Sequence, residues 1–127
     1  MRRKGTSAGA PIDRPPPATA RRGVANLFEA LPSPETGECF DQLLHCRNLR
    51  VERIVSSAQP EPTWYDQTQD EWVLLLCGHA TLQVGDERLE LGAGDYTFLP
   101  AHTRHRVIAT SAQPPCVWLA IHLDPAD

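Results

Sequence analysis

Residues 71–105 read EWVLLLCGHATLQVGDERLELGAGDYTFLPAHTRH, and their periodicity decides the fold. Glu71–Cys77 opens on a carboxylate, runs apolar from there and stops at Gly78, the pattern of a buried strand. Ala80, Leu82 and Val84 then alternate with polar residues up to Gly85-Asp86, and Leu89 and Leu91 alternate after it. Two such residues between alternating runs predict a hairpin with a II′ or I′ turn. Gly92-Ala93-Gly94 marks a second turn, leading into a strand over Asp95–Leu99. Pro100–Thr103 marks a third, leading into Arg104–Thr110.

The same period of two extends in both directions. Upstream, Phe40–Cys46 and Leu49–Ser56 read as strands joined at Arg47-Asn48, and Asn26–Leu31 reads as a helical turn ended by Pro32-Ser33-Pro34. Between Ser56 and Glu71 the prolines and polar residues of Ala58–Asp70 predict a loop. Downstream, Ala112–Pro115 separates a last strand, Cys116–Leu123. At least seven short strands with tight turns and almost no helix imply an all-β sandwich or barrel. No internal repeat is present.

Charge divides the chain. The formal net charge of −4 conceals six basic residues and one acid in residues 1–22, against six basic and fifteen acidic residues in 23–127. An acidic body excludes the electrostatic footprint of a nucleic-acid binder. No stretch approaches the 18 or so apolar residues of a membrane-spanning helix, so no membrane partner is expected. Residues 1–23, with Pro15-Pro16-Pro17 at their centre and little apolar content, are expected to be a disordered basic arm, and 24–127 one folded domain. The arm lacks the apolar segment of a secretory signal, and cytoplasmic residence is the expectation. Cys39, Cys46, Cys77 and Cys116 form no CxxC pair and are expected to be reduced, small core or half-core residues.

Strand parity singles out two polar groups. His105 shares a face with Val107 and Ala109, and Glu71 shares one with Val73, Leu75 and Cys77. Both faces are apolar, and a carboxylate on an interior face is costly unless it is paired or metal-bound. His102 reads as a loop residue and His122 as a satisfied, half-buried histidine. Tyr96 and Phe98 read as core, Trp72 as a packing residue, and Trp64 and Tyr65 as pocket lining.

These residues also resemble a family. Glu71–Gly78 is similar to the end of the first cupin motif, and Gly94, Pro100 and His105 match the second, Gly-x5-Pro-x-Gly-x2-His, with His102 in place of its Gly and Ala109 where an Asn is usual. The resemblance covers about Glu38–Leu123. It implies a double-stranded β-helix, or jelly-roll, cupin barrel, a homodimer, and a divalent metal ion (Mn, Fe, Ni or Zn) with a small-molecule ligand. The His-x-His pair of the first motif is replaced: the window reads Trp64-Tyr65-Asp66-Gln67. The spacing offers either Trp64 and Asp66 or Tyr65 and Gln67 in its place. The expected metal ligands are Asp66, Glu71 and His105, with Tyr65 and Gln67 as substrate-binding residues and Arg104 or Arg106 available to orient a substrate carboxylate. Two functions compete on this barrel: a metal-dependent oxygenase, isomerase or lyase, and a metal-free binding or sensing module. A metal-free acid–base enzyme using His105 with Tyr65 or Tyr96 is a third.

Overall fold

The computed structural model describes residues 23–61 and 63–126, so the expected arm lies outside the described residues except for Gly23. Eight strands follow in order: β1 Glu38–Cys46, β2 Leu49–Ser56, β3 Asp70–Cys77, β4 Ala80–Val84, β5 Glu87–Leu91, β6 Tyr96–Leu99, β7 His105–Thr110 and β8 Cys116–Leu123. They pair antiparallel into a five-stranded sheet, β1-β2-β8-β3-β6, and a three-stranded sheet, β5-β4-β7. This is the jelly-roll barrel that the family resemblance implies, and an all-β fold as the periodicity expects. Asn26 to Ala30 forms a turn, closed by Glu29 N–H donating to Asn26 O (3.1 Å), rather than helix.

Turn chemistry explains the connections. Gly85 has φ 57° while Asp86 keeps a negative φ, and Val84 pairs with Glu87, as a II′ hairpin requires. At Gly78, with φ 94°, an added Cβ would meet Ser111 Oγ at 2.8 Å and Pro115 O at 2.9 Å. Only glycine lets the end of β3 pass that close to the β7–β8 connection.

The inner faces of both sheets form one core. Phe40, Ile54, Val73, Leu75, Trp118 and Ala120 come from the larger sheet, and Ala80, Leu82, Leu91 and Val107 from the smaller. Each fully buried Leu or Ile contributes roughly 1.5–3 kcal/mol. Trp118 is anchored as well as packed, its indole N–H donating to Ser56 Oγ (3.0 Å).

Tyr96 and Phe98 are not core. They are 65% and 54% exposed on the outer face of β6, opposite Leu74 and Trp72 of β3, and Trp72 packs on Tyr96 with ring centroids 5.3 Å apart. Parity correctly groups the two aromatics. The core, however, takes the other side of the strand, where Leu99 is buried. The outer face of β1 and β2 is covered by the preceding segment: Arg53 pairs with buried Asp41 (2.6 Å) and donates to Leu27 O and Glu29 O. Among the described residues no disulfide joins the four cysteines, and Cys46 is exposed rather than packed.

Candidate functional site: a buried carboxylate–imidazole pair

Glu71 is the second residue of β3 and His105 the first of β7, so they enter the barrel from opposite sheets at the same end. Glu71 Oε1 lies 3.8 Å from His105 Nε2, with 0% and 1% of the side chains exposed. The loop before β3 is strapped onto β7 there. Tyr65 N–H donates to His105 O (2.8 Å), His105 N–H donates to Tyr65 O (3.1 Å), and the two rings stack 5.8 Å apart. His102 N–H donates to Gln67 O (2.7 Å), and the Gln67 amide donates to Glu71 Oε1 (3.0 Å). The structure thus brings together Tyr65, Gln67, Glu71 and His105.

The tautomer of His105 follows from its partner. Its Nδ1 lies 2.9 Å from Thr103 O, and a carbonyl only accepts, so Nδ1 carries the proton and Nε2 the lone pair. Nε2 is buried and has no hydrogen-bond partner among the described residues. Burial pushes the imidazole pKa down to about 4, outweighing the upward pull of Glu71, so His105 is neutral at physiological pH.

Asp66 does not join this group. Tyr65 and Gln67 turn toward the barrel, and the residue between them turns away: Asp66 Oδ1 pairs with His102 Nδ1 at 2.9 Å, both side chains exposed. Among the described residues no group of three or more His, Cys, Asp or Glu is placed to hold a metal ion. His102 occupies its loop with φ 64°, a left-handed conformation uncommon for a residue with a Cβ. Trp64 is not pocket lining: the guanidiniums of Arg104 and Arg106 lie 4.3 and 4.5 Å from its ring centroid. Both arginines alternate with inward-facing His105, so they point away from the barrel interior.

Two carboxylates of the interior, Glu52 and Glu38, were not singled out in the sequence, and the histidine expected to be half-buried and satisfied lies deeper than expected. His122 is fully buried, its Nε2 donating to Glu52 Oε1 (3.0 Å) and its Nδ1 3.3 Å from Gln69 Nε2. Glu38 accepts from Ser56 Oγ (2.9 Å), and burial pushes its carboxyl up to about 7. Glu38 also lines a cleft of about 50 Å³ with Phe40, Tyr65 and Val107. Alternation with Ile54 and Phe40 places Glu52 and Glu38 on inner faces, a signal already present in the sequence.

Comparison with known proteins places this geometry. The cupin domain family model matches residues 51–122. A proposed mannose-6-phosphate isomerase from Ralstonia eutropha JMP134 is 40% identical, with 80% of this chain and 97% of that one covered and a TM-score of 0.71. A cupin superfamily protein from Desulfitobacterium hafniense DCB-2 is 19% identical, covering 75% and 84% with a TM-score of 0.66. KdgF from a Halomonas species is 17% identical, covering 72% and 83% with a TM-score of 0.64. A search of curated proteins finds no significant match.

Proposed function

We propose, since the chain belongs to the cupin domain family, that its barrel binds a small polar molecule between Glu71 and His105 without a resident metal ion. The observation that carries this reading is the lone pair of His105 Nε2, buried, fixed by Thr103 and without a hydrogen-bond partner among the described residues. A buried acceptor without a hydrogen bond is costly, and a bound molecule removes that cost.

The donor set argues against a resident first-row metal. Such an ion is held by three or more imidazole, carboxylate or thiolate donors. Among the described residues Glu71 and His105 supply two, the Gln67 amide is bonded to Glu71, and Asp66 is turned to His102. The chemistry of the pair is proton transfer. Neutral His105 accepts a proton at Nε2, and the Glu71 carboxylate beside it stabilises the imidazolium that forms. The isomerase name of the Ralstonia eutropha relative supports this reaction type. Tyr65, stacked on His105, fits the acid role of the pair, whereas Tyr96 sits on the outer face of the barrel.

The same reading takes the chain as a homodimer. The exposed Tyr96 and Phe98 beside Trp72, on the outer face of edge strand β6, support it.

Two measurements on the purified protein test the site. Elemental analysis is expected to find substoichiometric metal; one equivalent of Mn, Fe, Ni or Zn, lost in Glu71→Gln or His105→Gln, overturns the metal-free reading. A thermal-shift screen of polyols, amines and organic acids is expected to give melting-point increases that both variants abolish. A screen in which no increase depends on either residue overturns the site.

A further inference from the structure

We propose that the outer face of the smaller sheet docks an acidic segment of a partner protein, whose carboxylates are met by Arg88, Arg104 and Arg106. This surface lies outside the barrel and does not depend on what the Glu71–His105 site binds. Gln83 of β4 pairs with Arg88 of β5 on one side and with Arg106 of β7 on the other. Leu82, the preceding residue of β4, is fully buried, so the row of Gln83 faces outward. Arg104 takes the same side as Arg106, beside the hairpin, where Gly85 N–H donates to its carbonyl (2.9 Å). Trp64 extends the row beyond β7, since its neighbour Tyr65 bridges to His105.

These arginines are unpaired where carboxylates abound. Residues 23–127 hold fifteen acids and six bases, all six of them arginine. Arg50 pairs with Asp124 and Arg53 with Asp41, each at 2.6 Å. Among the described residues Arg88, Arg104 and Arg106 form no ion pair. Glu90, on the same face as Arg88, accepts from Thr81 Oγ1 (2.9 Å) instead, and the hairpin acids Asp86 and Glu87 reach none of the three. Arg106 donates twice to Gln83 Oε1 (3.1 and 3.0 Å) and, with Arg104, lies over Trp64. Such contacts hold the guanidiniums in place and leave their charge uncompensated. A planar fork already held loses little freedom when it takes a carboxylate.

Shape and charge select the partner. A small molecule is retained by a concave pocket, whereas this surface is the face of a sheet. Duplex nucleic acid carries a charge every ~1.7 Å, and three arginines on an otherwise acidic body do not offset that. A short extended segment with acids at alternate positions presents carboxylates about 7 Å apart on one side. Arg88 and Arg106 stand two strand spacings apart, about 10 Å between Cα atoms, with Arg104 alongside, so two or three such carboxylates find a guanidinium each. The Trp64 ring offers apolar surface beside them.

Fluorescence anisotropy tests this, with the full chain titrated at low salt onto a labelled peptide of about ten residues in which glutamate alternates with serine. A glutamine–serine peptide and an oligothymidylate of equal charge serve as comparisons. Arg88→Gln, Arg104→Gln and Arg106→Gln are each set against Arg47→Gln, which removes the same charge from the β1–β2 turn. Arg88 and Arg104 are exposed, so replacing them leaves the fold intact. The glutamate peptide is expected to bind, and added salt to weaken it. Each sheet variant is expected to weaken binding roughly twofold to fivefold, and the triple variant about tenfold or more, with Arg47→Gln unchanged. No binding of the glutamate peptide, or an equal loss in Arg47→Gln, overturns the docking surface. Equal binding of the glutamine peptide, or tighter binding of the oligothymidylate that the sheet variants lose, overturns the acidic protein segment as its partner.

Discussion

Glu71 and His122 are Cα partners across the β3–β8 pairing, so the carboxylate that faces His105 stands beside a second imidazole, itself bonded to Glu52. Two carboxylate–imidazole pairs thus share one end of the barrel, and they differ in one respect. Both ring nitrogens of His122 have side-chain neighbours within the protein, whereas His105 Nε2 has no hydrogen-bond partner among the described residues. The first pair is built to be complete and the second to be completed.

His122→Leu is expected to destabilise the fold by about 3–5 kcal/mol, because it leaves Glu52 a buried charge without its donor. Glu52→Gln keeps an acceptor for His122 and is expected to cost under about 2 kcal/mol. The double variant Glu52→Leu/His122→Leu should be less damaging than the sum of the two leucine variants. Urea denaturation of the set measures all of this, and strict additivity would refute the pairing.

His105 titrates at about 4 in the folded chain against an ordinary 6.5. Below pH 6.5 the unfolded chain takes up a proton that the folded chain refuses. Stability is therefore full above that value and declines as pH falls toward 4, by up to about 3 kcal/mol. In His105→Gln this acid-side decline should be smaller, measured as melting temperature against pH.

Glu38 gives the opposite slope. Its carboxyl is raised from 4.5 to about 7, so between these values the folded chain holds a proton that the unfolded chain has released. Its contribution to stability falls as pH rises through that window, by up to about 3 kcal/mol, and is constant above it. Glu38→Gln should remove the loss and gain stability over the parent protein mainly above pH 7. The two slopes oppose each other in the parent protein, so each is visible only against its own variant.

If the outer face of β6 is a homodimer contact, Tyr96→Ser/Phe98→Ser should shift the sedimentation coefficient from dimer to monomer. The unfolding midpoint of the separated monomer should hardly change, since both side chains are exposed. A parent protein that sediments as a monomer would remove the basis for this contact.

The fold was legible because its signals are local. The run from Glu71 to Cys77, the Gly85-Asp86 hairpin and the turns at Gly94 and Pro100 each specify a strand or a reversal within a few residues. The Glu71–His105 pair was legible for a related reason: parity and two spaced motifs agree on it. What escaped depended on which face of a strand meets a neighbour. Tyr96 and Phe98 share a side by parity, but pairing with Leu74 and Trp72 puts that side outward. Asp66 lies in an irregular segment without a period, so only the backbone bonds of Tyr65 and Gln67 to β7 and its approach turn it away from the barrel. The Glu52–His122–Gln69 chain spans three segments far apart in sequence, and no local pattern announces that they meet.

The bond from the Trp118 indole to Ser56, and from Ser56 on to the Glu38 carboxylate, gives the barrel an optical property. Indole emission follows the electric field at the ring, and Glu38 changes charge two hydrogen bonds away. The centre of the hydrophobic core therefore carries an ultraviolet indicator of the ionisation of an acid beside the cleft.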